Sequence, residues 1–145
     1  MVARLESIYR ESLPWIDGAR EAVERMAAWR PLGLASSSNR EIIDLFLELS
    51  GLGERFAVTV SSEEVERGKP APDVYLEAAR RLEVRPEECL AVEDSENGIR
   101  SAKAARMRVI VLPNSEWPPG PDALDLADAV IGSLAELPSV PFRDR

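Results

Sequence analysis

Ala91-Val92-Glu93-Asp94-Ser95-Glu96-Asn97-Gly98-Ile99 carries an apolar run straight into two adjacent carboxylates, and a helix begins directly after them. Two neighbouring acids at the mouth of a buried strand repel each other and lose solvation. They are tolerable there chiefly when something positive, such as a hard cation, sits between or beside them. A plainer account suits the residue types as well: Asp94 or Ser95 caps the next helix. The pair alone does not choose between the two accounts, so the chain around it has to.

Outward from this stretch the pattern alternates strand and helix. Residues 90–93 read as a strand, 96–106 as a helix and 108–112 as another strand. Upstream, residues 18–29 place apolar side chains at helical spacing, and 31–35 form a short apolar run ending in Ser36-Ser37-Ser38-Asn39. A strongly apolar helix over 40–50 stops at Gly51, a strand follows over 56–60, and Pro72 opens a helix running to about Leu82. Residues 113–121 hold four of the eleven prolines and form a loop, and 127–131 read as a last edge strand with a helical turn after it. Strands separated by helices predict a parallel α/β sheet covered on both faces, a three-layer α/β/α Rossmann-like architecture. Residues 1–13 predict one more amphipathic helix outside that core, 14–137 the core itself, and 138–145 a C-terminal tail.

The bulk numbers narrow the chemistry. A chain of 145 residues suffices for one domain with a real core. With 26 acids against 18 bases the net charge is −8, which argues against a nucleic-acid or anionic-membrane surface. No apolar stretch approaches the ~20 residues of a membrane span, no secretory leader is recognisable, and a cytoplasmic location is expected. The single cysteine excludes an internal disulfide; Cys89 introduces an apolar run and reads as a buried small hydrophobe. There is no histidine, so His-based triads, acids and metal sites are excluded. Cys89 also lacks an arginine six residues on, where Ser95 stands, which excludes a thiol-phosphatase loop. Catalysis here has to use carboxylates, hydroxyls, lysine or a bound metal.

Ligands of an open parallel sheet bind beyond the carboxyl ends of its strands. Ser36 follows the first strand and precedes a helix start, where its hydroxyl and nearby N–H groups can hold a phosphate; alternatively Ser37, Ser38 or Asn39 merely caps the helix. Lys69 lies in Arg67-Gly68-Lys69-Pro70-Ala71-Pro72-Asp73, where two prolines stiffen the backbone after a flexible cation suited to neutralising a phosphoryl group. With Glu93 and Asp94 these residues make a phosphate-plus-magnesium constellation.

Three stretches, Leu34-Ala35-Ser36-Ser37-Ser38, Gly68-Lys69-Pro70-Ala71-Pro72-Asp73-Val74-Tyr75 and Val92-Glu93-Asp94-Ser95-Glu96-Asn97-Gly98-Ile99, closely resemble the haloacid dehalogenase superfamily. Within it they look like the β-phosphoglucomutase-like sugar phosphatases and phosphomutases. The resemblance implies that Ser36 is the phosphate-binding hydroxyl and Lys69 the lysine steadying phosphoryl group and nucleophile. It makes Glu93 and Asp94 the acids holding Mg²⁺, with Ser37 and Asn39 on the phosphate and substrate side. The substrate it implies is a small phosphorylated metabolite. Residues 2–13 correspond to the last helix of the family's cap domain.

The family's first motif, Asp-x-Asp-Gly at the end of a hydrophobic strand, is absent, and no Asp-x-Asp occurs anywhere in the chain. Its first Asp is the nucleophile and its second the general acid/base. Asp17-Gly18 is the nearest echo, but Trp15 fills the partner position and the site reads as a helix entry. The family's motif strand lies at the sheet centre, between the strands that end here at Ser36 and Glu93. Without it those strands face each other across a gap, and they close up, accept a strand from elsewhere, or belong to a longer protein. The expectation is a truncation, inactive alone, with self-association or complementation through the exposed sheet left open. The alternative is a non-catalytic module binding Mg²⁺, phosphate or a partner. A phospho-acceptor receiver also uses acids, a hydroxyl and a lysine, but in another chain order. One local departure is Ala105-Arg106-Met107, where relatives place glycine before methionine: if that position needs a positive φ, Arg106 costs about 1 kcal/mol, which the fold is expected to tolerate.

Overall fold

The computed structural model describes residues 2–139, so most of the tail expected over 138–145 lies outside the described residues. Helix α1 (Val2–Glu11) precedes α2 (Ala19–Ala27), β1 (Gly33–Ser36), α3 (Arg40–Ser50), β2 (Val58–Ser61), α4 (Asp73–Leu82), β3 (Leu90–Glu93), α5 (Glu96–Ala104), β4 (Arg108–Val111), α6 (Pro121–Leu124) and β5 (Ala129–Val130). A 3-10 helix over Leu134–Ser139 closes the described chain and takes up the start of the expected tail. Every strand pairing is parallel.

Local chemistry sets the element ends. Gly51, at φ 70°, receives the end of α3, and its N–H donates back to Leu47 and Glu48 carbonyls. Helix α5 stops at Ala104, two residues short of the expected end, because Arg106 turns left-handed at φ 65° and Met107 N–H returns to the Ala102 carbonyl. The second strand begins at Val58 rather than residue 56 because a 3-10 turn over Gly53–Arg55 holds the Phe56 N–H. The last strand shrinks to two residues because the Asp128 carboxylate accepts from the Val109 N–H at 2.7 Å, where a ladder carbonyl would otherwise stand. Cys89 is half-buried rather than buried, at the margin of the main core.

The strands form two ladders rather than one. Their orders are β1-β2 and β3-β4-β5, so the strands expected to flank a central gap have not closed up. Helices α4 and α5 bridge the two ladders on one face through a core of Val60, Val74, Ala79, Ile99, Val109 and Val111. Helix α2 and the last 3-10 helix cover the other face of β3-β4-β5 through Ala22, Ile110, Ile131, Leu134 and Leu137. Helix α1 buries none of its residues and lies against α3, with Tyr9 edge-on to Phe46.

Between β1 and β3 lies a cavity of about 1600 Å³, lined by all four residues of each strand. Val92, in mid-strand, stays 42% exposed on this side, an exposure that the middle strand of a covered parallel sheet does not have. The outer flanks differ. The carbonyl of Thr59 on β2 accepts from both the Arg40 and the Arg81 guanidinium, at 3.1 and 2.8 Å. Both arginines pair with Glu64. At the far flank β5 is only two residues long. Charged side chains and very short strands are how proteins blunt sheet edges. The inner edges of β1 and β3 carry no such guard among the described residues.

Candidate active site

The polar end of the cavity is built from the carboxyl ends of β1 and β3 and from the loop before α4. Ser36, Ser37, Lys69, Glu93 and Asp94 all line it. The serine loop after β1 is tied down from β2: Ser61 Oγ donates to the Ser38 carbonyl at 2.7 Å, and Ser62 Oγ to the Ser37 carbonyl at 2.9 Å. Ser36 Oγ accepts from the Ser38 N–H at 3.1 Å. Its hydroxyl proton stays available to an anion. Asn39 is the N-cap of α3, accepting from the Ile42 N–H at 3.1 Å. Of the capping alternatives after β1, then, Asn39 takes the role, and it is not among the residues lining the cavity.

Lys69 sits in a loop fixed at several points. The Lys69–Pro70 peptide is cis, Ala71 N–H turns back to the Gly68 carbonyl, and Ser101 Oγ on α5 donates to the Ala71 carbonyl at 2.6 Å. Asp73 accepts from both the backbone N–H and the guanidinium of Arg67. The ammonium meets Glu93 Oε1 at 2.5 Å and lies 4.9 Å from the centre of the Tyr75 ring. Both partners of this ion pair are largely shielded, with side chains 11% and 6% exposed. Tyr75 Oη donates to the same Glu93 oxygen. Burial first, and then the Glu93 charge, push the Tyr75 phenol well above its ordinary 10, so it remains a donor.

Glu93 also contacts the helix that follows it. Its Oε2 accepts from the Asp94 N–H at 3.3 Å and lies 3.5 Å from Ser95 Oγ. Ser95 caps α5 through the Gly98 N–H, so the capping account of this motif is correct for Ser95 and leaves Asp94 its carboxylate. Asp94 Oδ2 accepts from Asn114 Nδ2 at 3.2 Å. Glu93 thus faces inward to Lys69 and Tyr75, while Asp94 sits at the cavity wall.

Mg²⁺ is commonly held by one or two carboxylates together with waters and substrate phosphate. Adjacent Glu93 and Asp94 supply hard oxygen donors of that kind. No group of three or more acidic, thiol or imidazole side chains able to enclose a metal occurs among the described residues, so Glu93 and Asp94 by themselves could supply only part of a metal's shell. Asp17 lies in the turn before α2 and does not line the cavity.

Three contributors were not singled out in the sequence. Tyr75 follows Lys69 in a stretch already notable for its prolines, but only the fold brings its hydroxyl to Glu93. Asn114 lies twenty residues beyond Asp94 and reaches it because β3 and β4 pair in register, Glu93 opposite Val111. Gly98 is necessary because Glu93 occupies the space a side chain there would need. An Asn immediately after a strand and its proline was the one readable hint.

The chain matches the haloacid dehalogenase-like hydrolase family over residues 2–106. Hexitol phosphatase B of Escherichia coli K12 is 41% identical over 138 residues, covering 94% of this chain and 62% of that protein. The crystal structure of CbbY from Rhodobacter sphaeroides in complex with phosphate superposes with a TM-score of 0.74 at 34% identity, over 83% of this chain and 55% of that one. The β-phosphoglucomutase of Clostridium difficile gives a TM-score of 0.74 at 25% identity, over 91% and 57%. The chain therefore spans roughly three-fifths of the length of these relatives. With serine, lysine and acidic pair gathered at the strand ends of a parallel α/β core, and with these matches, the chain belongs to the haloacid dehalogenase-like hydrolases.

Proposed function

We propose that this chain is the core of a Mg²⁺-dependent phosphohydrolase acting on a small phosphate monoester, of the sugar-phosphate phosphatase or phosphomutase type, in the cytoplasm. The observation that carries the reading is the convergence of Ser36, Lys69, Glu93 and Asp94 on the polar end of one cavity. The hexitol phosphatase likeness points to a phosphorylated sugar or polyol as substrate. In this reading the Ser36 hydroxyl and the Ser37 backbone bind the phosphoryl oxygens, with Asn39 shaping the loop as its cap. Lys69, held by Glu93, neutralises the charge that builds on the transferring group. Glu93 and Asp94 hold Mg²⁺, which when bound supplies Lewis-acid polarisation of a phosphoryl oxygen. An aspartate outside these 145 residues attacks phosphorus, the alcohol departs with a proton, and water cleaves the aspartyl-phosphate.

The same reading gives the cavity between β1 and β3 an occupant: an extended apolar strand, parallel to both neighbours, ending in that aspartate. Support comes from the two unpaired parallel edges facing one cavity while both outer flanks are guarded. Strand addition to an exposed edge is an established mode of recognition. The absence of any Asp-x-Asp favours a second reading for the chain by itself, a non-catalytic module binding phosphate, Mg²⁺ or a partner.

Hydrolysis of a generic phosphomonoester separates them. The purified chain is expected to be inactive with or without Mg²⁺, and a peptide carrying an apolar strand ending in Asp-x-Asp-Gly is expected to restore Mg²⁺-dependent turnover. Asp94→Asn should then lower that turnover strongly. Binding of the peptide with no gain in activity supports the non-catalytic module.

A further inference from the structure

The proline-rich loop over residues 113–120 is fastened at both ends to the acidic motif after β3. At one end the Asn114 N–H donates to the Asp94 carbonyl at 3.2 Å, and Asn114 Nδ2 donates to Asp94 Oδ2 at 3.2 Å. At the other, the Gly120 N–H donates to Glu96 Oε2 at 3.3 Å. Between them Asn114 Oδ1 accepts from the N–H groups of Glu116 and Trp117 at 2.9 and 3.0 Å. Those two donors fix which end of the amide is oxygen, so the NH₂ group must be the end that faces Asp94. Trp117, held by this turn, is 81% exposed.

We propose that Asn114 is a positioning residue for the Asp94 carboxylate, and that through it the 113–120 loop registers what Asp94 holds. Its bond to Oδ2 fixes one oxygen of the carboxylate and would leave the other to a cation, the service second partners render to metal-binding side chains. A cation on Asp94 shifts the amide, and the opposite end of that amide carries the Trp117 backbone. Pro113, Pro118 and Pro119 leave the loop few other ways to respond. The inference rests on the proposal that Asp94 holds Mg²⁺.

The test is a Mg²⁺ titration of the 145-residue chain read by tryptophan emission, with thermal unfolding recorded for every variant. A saturable change is expected in the parent, lost in Trp117→Phe although Mg²⁺ still protects that variant thermally, and lost altogether in Asp94→Asn. Asn114→Ala is expected to raise the Mg²⁺ midpoint about tenfold, in the range measured for such partners, and to lower the metal-free unfolding temperature slightly because the turn loses its acceptor. Asn114→Ser, which keeps an oxygen for the turn but is too short to reach Asp94, should raise it similarly. A midpoint unmoved in both Asn114 variants overturns the positioning role and leaves the metal reading standing. A parent that neither saturates nor gains thermal stability with Mg²⁺ overturns the metal reading itself, and this inference with it.

Discussion

The space a side chain at Gly98 would need is filled by the carboxylate of Glu93: a Cβ there would lie 1.9 Å from Oε2 and 2.0 Å from Cδ. Helix α5 therefore packs so closely on the end of β3 that Glu93 can turn inward only across a bare backbone. Replacing a helical glycine by alanine ordinarily favours the helix by about 1 kcal/mol. Here Gly98→Ala is expected to act with the opposite sign, destabilising by roughly 1–3 kcal/mol through overpacking. Urea unfolding checks this, and a stabilised variant would mean that Glu93 does not occupy that space.

Glu93 Oε1 receives both Lys69 and Tyr75, so each partner should be coupled to the carboxylate. Tyr75→Phe removes a hydrogen bond to a charged group and is expected to cost about 2 kcal/mol. Lys69→Met leaves a shielded carboxylate unpaired and should cost roughly 3 kcal/mol, much of it recovered when Glu93→Gln is added. A double-mutant cycle on unfolding free energies reads this directly, and additive losses would contradict the coupling.

Acid should loosen the guard on β2. The Ser61 N–H first, and then the Arg40 guanidinium, hold Glu64 at about 2 against an ordinary 4.5. Because the folded value is the lower one, protons bind the unfolded chain more readily across this interval. The contribution is complete above 4.5 and disappears as pH falls through about 2. Glu64→Gln is expected to show a flatter loss of stability over that window, measured as unfolding midpoint against pH. The carboxylate is near the surface, so the difference should shrink in high salt.

Arg106 holds a left-handed backbone at φ 65°, and its side chain pairs with Glu87 at the surface. Arg106→Gly is expected to relieve about 1 kcal/mol of backbone cost and lose a few tenths from the ion pair. A thermal unfolding midpoint a few degrees higher is the expected outcome, and a lower one would show that the pair outweighs the backbone.

Sequence periodicity located nearly every element, because alternating apolar runs and capping residues are local signals. Gly51 ended α3 where expected, and β3 was bounded to the residue. Departures occurred where a side chain replaced a backbone partner, as Asp128 does for the Val109 N–H. At the candidate site, the gathering of Ser36, Lys69, Glu93 and Asp94 at one cavity was legible because each sits where a strand or a stiff loop ends. Tyr75 and Asn114 were not, because their partners are supplied by α4 lying across β3 and by the β3-β4 register, both of them products of tertiary packing. The separation of the sheet into two ladders was foreseeable only as one of several outcomes, since nothing local in β1 or β3 says whether they pair.

The arginines over Thr59 have a bearing on stoichiometry. A sheet open at its flanks adds strands without limit, each newcomer offering a fresh edge to the next, which is how fibres grow. Here the flanks are blunted and the unguarded edges of β1 and β3 face one cavity, where a single added strand would meet both neighbours at once and present no new edge. Were a strand to add there, as proposed above, its addition would saturate at one strand per chain and end in a discrete complex rather than a polymer.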